Sequence, residues 1–431
     1  MISIEKIYID GFKNIHELNL DLSKINGILS ANNYGKSNVL QAISFAVDFI
    51  TGSVGEKKRM MGWKPGVPCN ISDLNKNFKI EFIFNSLQGK ESFLLKYGFE
   101  FVWKAHKKDF GIIRESLKVK KDDTTQKYMT YIDRYESIAK YKSSISGRCD
   151  KDISIDKNEL IVNKISAYDD LFYLDIIKEI NDLKIFVDRH FDAEKSYAIT
   201  PIIEKNVDLA SPFNDSSIAR ILYFLKKEHK KKYDLIINTL KDFFPYITEI
   251  KIREIDVSEK NKDVKITEEM PFELADNIYI LMANSKFMAQ TISFSMMSDG
   301  AKRILSLLIY MTLADMNGIP LIGIEEPENS IHPGLLKKYV DVIDGFMENS
   351  KVIITSHSPY LINYLGLNNL YLGLSNEQGR AIFKRITSSG ANKINSYATE
   401  IGSQAGEYLF SIISGVDEFD KELLRKCLAN D

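Results

Sequence analysis

The chain has 431 residues, 44% hydrophobic and 27% charged, with a formal net charge of −2. The length implies two or three domains and the composition an ordinary globular protein. The charge excludes a globally polyanion-binding chain but leaves local basic runs free to bind one. Cys69, Cys149 and Cys427 form no C-x-x-C pair, which argues for a reducing compartment and against a disulfide framework or structural zinc. No apolar run approaches the length of a membrane span, and the N-terminus lacks a signal peptide's apolar core. A cytoplasmic protein is expected.

In chain order, residues 2–9 alternate like a strand, Gly11-Phe12-Lys13-Asn14 reads as a turn, and residues 18–22 read as a second strand. A third, over 25–29, runs into Ser30-Ala31-Asn32-Asn33-Tyr34-Gly35-Lys36-Ser37. Beyond it Val39, Leu40, Ile43, Ala46, Val47 and Ile50 recur at helical spacing. Strand, Gly-Lys-Ser loop and helix are the context of a P-loop. The backbone of Asn32, Asn33, Tyr34, Gly35 and Asn38 is expected to cradle phosphates at a helix N-terminus. Lys36 would reach the β/γ oxygens, and the Ser37 hydroxyl could ligate Mg²⁺. Ser30 stands where such loops usually have their first glycine, and a side chain there restricts the turn.

Residues 51–75, with six Gly or Pro breakers, read as a loop in which Lys57-Lys58-Arg59 is most simply solvated; the alternative is a contact to phosphate backbone. From 78 to about 162, short alternating runs predict an antiparallel meander with basic turns between Lys104 and Lys121. Helical faces follow over 171–183 and 218–243, too short for coiled-coil arms. The lysine run from Lys226 to Lys232 is most simply a solvated helix face; the alternative is a nucleic-acid footprint. Strands are expected over 250–255, 264–266 and 278–282. Met297-Ser298-Asp299-Gly300 then opens an almost wholly apolar helix that must be deeply buried. Ser298 can be a plain N-cap. Alternatively, Ser298 and the Gly300 amide present a helix N-terminus to an anion.

The stretch Leu321-Ile322-Gly323-Ile324-Glu325-Glu326-Pro327-Glu328 reads as a strand buried on both faces, ending in two carboxylates. Carboxylates at the C-terminal edge of a parallel strand sit where such sheets bind ligands. Two of them suggest that one serves a metal and the other a water. A helix over 334–347 and a strand over 352–355 follow, ending in Ser356-His357-Ser358-Pro359, with Ser358 as N-cap and Pro359 opening the next helix. The remainder reads as two strands and terminal helices.

A P-loop, Met-Ser-Asp-Gly, Ile-Glu-Glu-Pro-Glu and Thr-Ser-His-Ser-Pro occur in this order. Together they resemble the ATP-binding-cassette class that includes the SMC, RecF and OLD-family ATPase heads. The resemblance covers residues 1–50 and 290–375. The wording of residues 323–336 and of Ser-His-Ser-Pro looks most like the ATPase subunits of the bacterial anti-phage systems Septu (PtuA) and PARIS (AriA). It implies an α/β fold: an ABC-type ATPase head with a P-loop on a mixed sheet, an antiparallel β subdomain, a helical insertion and no long coiled coil. The expected segments are an N-terminal lobe over 1–165, an insertion over 166–285 and a C-terminal lobe over 286–431.

The resemblance also implies roles. Lys36 would hold phosphates, Ser37 and Glu325 would serve Mg²⁺, Glu326 would polarise the attacking water, and His357 would sense the γ-phosphate. Glu325 stands where this class usually has an aspartate. Ser298 and Gly300 would touch ATP held by a second protomer, so that ATP joins two heads in a homodimer or higher oligomer. The implied Q-loop glutamine is identified by nothing between residues 76 and 165.

Two functions compete. One is an ATPase subunit whose nucleotide state controls a separate effector, a nuclease, in phage defence. No Asp-x-Asp of a Toprim nuclease follows His357, and His190 and His229 show no His-Asn-His arrangement, so any nuclease is expected on another chain. The other is a RecF-like clamp gripping DNA. A transporter ATPase fits poorly with the long insertion between Ile50 and Ser298, and a Ser-His-Asp hydrolase lacks a nucleophile elbow.

Overall fold

The computed structural model describes residues 2–31, 34–62, 70–73, 75–104, 110–123, 125–188, 197, 199, 202–204, 218–261, 272–329, 331–375, 378–414 and 418–429. They form two compact units. The first comprises Met1–Val187, Gly318–Glu326 and Asn349–Asp431; the second comprises Asp188–Asn317 and Pro327–Glu348.

The first unit holds two sheets of different character. One is an eight-stranded antiparallel sheet in the order Leu18–Asp21, Ile2–Asp10, Phe78–Gln88, Glu91–Val102, Gly111–Lys121, Met129–Tyr135, Ile138–Lys142 and Cys149–Asp152. The meander expected from residue 78 is present, and the first two strands of the chain extend it. Ile2, Ile4, Ile7 and Ile9 are buried. Their spacing changes phase after Ile4 because a register shift lies between Ile4 and Lys6, and one extra residue swaps the faces of a strand.

The other sheet has the order Ile185–Asp188, Leu321–Glu325, Lys351–Ser356, Ile25–Ser30, Leu370–Ser375 and Ala381–Arg385. The run from Leu321–Glu325 to Leu370–Ser375 is parallel, and Ala381–Arg385 closes it antiparallel. Ile322, Gly323 and Ile324 are buried as a two-sided parallel strand requires.

The helix Lys36–Thr51 serves both sheets. Leu40 faces Gly323: a Cβ on that glycine would stand 2.8 Å from Leu40 Cδ2, so the bare backbone lets the helix approach the carboxylate strand. Phe45 and Phe49 face the antiparallel sheet. Phe49 stacks on Phe99 and Phe101 at 4.9 and 5.0 Å, and Phe101 meets Trp103 edge-on at 4.8 Å. Each fully buried aromatic ring contributes roughly 2–3 kcal/mol, so this cluster fixes the P-loop helix in place.

Residues 51–75 are not simply a loop. Ser53 accepts from Glu56 N while Glu56 Oε2 accepts from Ser53 N, and this capping box starts a helix over Val54–Met61. The Ser-x-x-Glu spacing was the available signal. Lys57 is not solvated either. It is 1% exposed, donates to the Ile50 and Gly52 carbonyls, and burial pushes its pKa down to about 8.

In the second unit, Ile218–Glu228 and Lys230–Phe243 are separate helices, broken at His229. Lys226, Lys227, Lys230 and Lys231 are exposed, as a solvated face requires. Strands Ile247–Asp256, Asn277–Ser285 and Ile292–Ser293 form an antiparallel sheet. The strand expected over 264–266, and His190, lie outside the described residues. Helix Asp299–Met316 is buried along most of its length. It holds Arg303 against Asp188 at 2.6 Å, both nearly inaccessible. Such a pair costs desolvation and specifies one arrangement rather than adding much stability. No coiled coil occurs among the described residues, and none of their helices is long and apolar enough to cross a membrane.

Candidate active site

The site forms where three parallel strands of the first unit end at one edge. Strand Ile25–Ser30 delivers the P-loop, Leu321–Glu325 the two carboxylates and Lys351–Ser356 the histidine, with Ser356 opposite Leu29 and Thr355 opposite Glu325. Consecutive parallel strands carry their C-terminal ends to the same side, which is where α/β sheets bind ligands.

The helix after the loop begins at Lys36. Gly35 is its N-cap, at φ 102°, with no side-chain cap and no acidic residue in the first turn. Only glycine adopts this backbone freely. A helix end without a side-chain cap or a first-turn acid favours an anion. Lys36 is 6% exposed; its Nζ donates to the carbonyls of Ser30 at 2.9 Å and Ala31 at 3.3 Å. Tyr34, Ser37 and Asn38 are half-buried around the turn, whereas Asn32 and Asn33 lie outside the described residues.

Ser30 replaces a glycine without strain because it is the last residue of an extended strand. Its room comes from the neighbouring strand. Gly373 pairs with Ser30, and a Cβ on Gly373 would stand 2.8 Å from Ser30 Cβ.

The two carboxylates reach different partners. Glu325 Oε2 accepts a hydrogen bond from Ser37 Oγ at 2.8 Å, so the longer side chain still meets the P-loop serine. Glu326 has φ 42°, a conformation uncommon for a residue with a side chain. Its N–H donates to the Thr355 carbonyl at 2.9 Å, and its Oε1 lies 3.4 Å from His357 Nδ1. Ser37 and Glu325 offer the hard oxygen donors that suit Mg²⁺. Thr355, in register with Glu325, is fully buried with no hydrogen-bond partner for its hydroxyl among the described residues.

Ser298 and Gly300 belong to the second unit. Ser298 is the N-cap of helix Asp299–Met316 and accepts from Ala301 N at 3.4 Å.

Sequence reasoning missed two residues of the site. Gly373 lies in a strand read as chemically silent, and Asn14 in a turn. The side chain of Asn14 contacts the P-loop at Tyr34 and Asn38. Nothing in the local pattern marks either residue.

The family described as "AAA domain, putative AbiEii toxin, Type IV TA system" matches residues 25–363. The chain belongs to this family. The match begins with the P-loop strand and ends beyond His357, so it encloses Lys36, Ser37, Ser298, Gly300, Glu325, Glu326 and His357, while Asn14 and Gly373 lie outside it. No curated protein matches the chain. Among solved structures, an SMC head bound to the C-terminal winged-helix domain of ScpA is 16% identical. It covers 91% of this chain and 99% of its own, with a TM-score of 0.49. The SMC head domain from Thermotoga maritima is 11% identical, covers 89% of this chain and 99% of its own, and has a TM-score of 0.42. The recombination mediator RecF is 11% identical, covers 89% of this chain and 98% of its own, and has a TM-score of 0.39.

Proposed function

We propose that this AAA-domain protein binds and hydrolyses ATP, and that its nucleotide-dependent assembly controls a separate effector, a nuclease, in cytoplasmic anti-phage defence. The observation that carries the ATPase reading is the meeting of Ser37 with Glu325 and of Glu326 with His357 at one sheet edge. These are the parts that phosphoryl transfer needs: a phosphate cradle, a metal-binding pair and a water-orienting carboxylate.

In this reading the amides of Gly35 to Asn38, with Asn32 and Asn33 before them, hold the phosphates and Lys36 pairs with the β/γ oxygens. Ser37 and Glu325 hold Mg²⁺, which when bound neutralises charge developing on the phosphates. Glu326 orients and polarises the attacking water. His357, beside it, senses the γ-phosphate. Ser298 and Gly300 complete the site of a second copy, making ATP the link in a homodimer. Segments 1–165 and 286–431 act as the ATPase lobes and 166–285 as the insertion.

The defence setting is supported by the wording of residues 323–336 and by the family description's toxin of a type IV TA system. The exposed lysines 226, 227, 230 and 231 favour a second reading, a RecF-like DNA clamp, whose binding would fall steeply with salt. The deciding experiment isolates the tagged protein from its host with and without ATP. Recovery of a second chain carrying nuclease motifs supports effector control. Recovery alone, dimeric only with ATP and retained on DNA at low salt, supports the clamp. A monomer indifferent to ATP overturns the shared-site mechanism.

A further inference from the structure

We propose that Asn14 is a positioning residue for the phosphate-binding loop, a strut that sets the direction of its N–H groups; this rests on the ATP-binding reading above. One side chain meets both sides of the turn. Its Nδ2 donates to the Tyr34 carbonyl at 3.4 Å, and its Oδ1 accepts from Asn38 Nδ2 at 2.7 Å. The same Oδ1 lies 2.8 Å from where a Cβ on Gly35 would stand. Tyr34 and Asn38 flank Gly35, Lys36 and Ser37, so Asn14 ties the residue before the Gly35 turn to the first turn of the helix. The amide supplies a donor and an acceptor on two separate atoms of one short side chain.

The strut is itself anchored. The Asn14 carbonyl accepts from Ala381 N at 2.7 Å, and Ile15 bridges to Ala381. Next to it, Arg380 forks onto Asp73 at 2.9 and 3.1 Å. Lys76 meets both oxygens of Asp10 at 3.0 Å and His16 Nδ1 at 2.8 Å. Lys13 at φ 53° and Glu17 at φ 48° are left-handed residues with side chains. Such conformations persist where the surroundings over-determine them, and they gather at functional sites. Presetting the loop removes an ordering cost that would otherwise be met on binding, so losing Asn14 should appear in nucleotide affinity while the fold stays intact.

The test titrates a fluorescent ATP analogue with Mg²⁺ into the full chain as wild type, Lys36→Ala, Asn14→Ala, Asn14→Asp, Asn38→Ala and the Asn14→Ala/Asn38→Ala double variant. Thermal unfolding is followed on each. Asn14→Ala should weaken binding about tenfold with Tm within about 2 °C of wild type. Asn14→Asp keeps the volume and the acceptor, loses the donor and adds an anion, so it should bind no better than Asn14→Ala. The double variant should be no weaker than the weaker single, since both changes break one link. Equal binding by wild type and Asn14→Ala, or additive losses, overturns the strut while leaving the ATP reading standing. If Asn14→Ala loses several degrees of Tm, Asn14→Asp decides, and wild-type affinity there overturns the proposal. A wild type that binds no more analogue than Lys36→Ala overturns the ATP reading and the strut with it.

Discussion

His357 Nδ1 lies 3.4 Å from Glu326 Oε1, although the residues end different strands. Those strands are parallel neighbours with Glu325 opposite Thr355, so Glu326 and, one position further along its own chain, His357 leave the sheet at the same edge. The Glu326 N–H is tied to the Thr355 carbonyl, and its φ of 42° departs from the strand. A left-handed residue with a side chain costs roughly 1–2 kcal/mol. That strain is expected where geometry serves chemistry rather than stability.

Glu326→Gln tests that geometry. Glutamine keeps the size of the side chain and loses its basicity. ATP binding should persist while phosphate release slows by about 100-fold or more. Unchanged turnover would mean that another group orients the water.

Lys36→Ala should remove nucleotide binding, because the proposed site then loses the cation assigned to the phosphates. Affinity in a fluorescent-nucleotide titration should fall by about 100-fold or more, with near-native circular dichroism. Binding that survives this change would relocate the phosphate site.

Gly373→Ala should weaken nucleotide binding by crowding Ser30, whose carbonyl accepts from Lys36. Adding Ser30→Gly should restore part of the loss. The restoration is partial because Phe383 Cε1 would also stand 2.6 Å from the new Cβ. Additive effects in a double-mutant cycle would show that the two positions do not share space.

Glu115 gives the fold a pH dependence. It is 1% exposed, and its carboxylate accepts from Ile161 N at 2.5 Å and Val162 N at 3.0 Å. Burial pushes its pKa from 4.5 to about 7, against the opposing pull of these bonds and of Arg134. The folded state therefore holds the proton more tightly than the unfolded chain. This contribution is fully present below about pH 4.5 and is lost as pH rises to about 7. The change amounts to about 3 kcal/mol. The unfolding free energy of wild type minus that of Glu115→Gln should fall by that order across this window. A flat difference would mean that Glu115 titrates normally.

The sequence by itself was enough for the P-loop, the carboxylate strand, the meander and the buried helix Asp299–Met316. Each is written in a contiguous pattern: apolar periodicity, a Gly-Lys-Ser turn, two acids after a hydrophobic run. Backbone preference and burial act over a few residues, so a local reading captures them. The helix over Val54–Met61 was legible too, through its capping box, but glycines and prolines on either side obscured it.

Other features depended on neighbours remote in the chain. Ser37 meets Glu325 and Ser30 meets Gly373 across strands joined by hundreds of residues, and Asn14 meets Asn38 from a separate turn. Lys57 looks solvated in a basic run, yet only folding shows that it caps buried carbonyls. Strand order, parallel register and the room beside a glycine are set by packing between distant segments. No local preference encodes which side chains will share one sheet edge, so tertiary structure alone decided that.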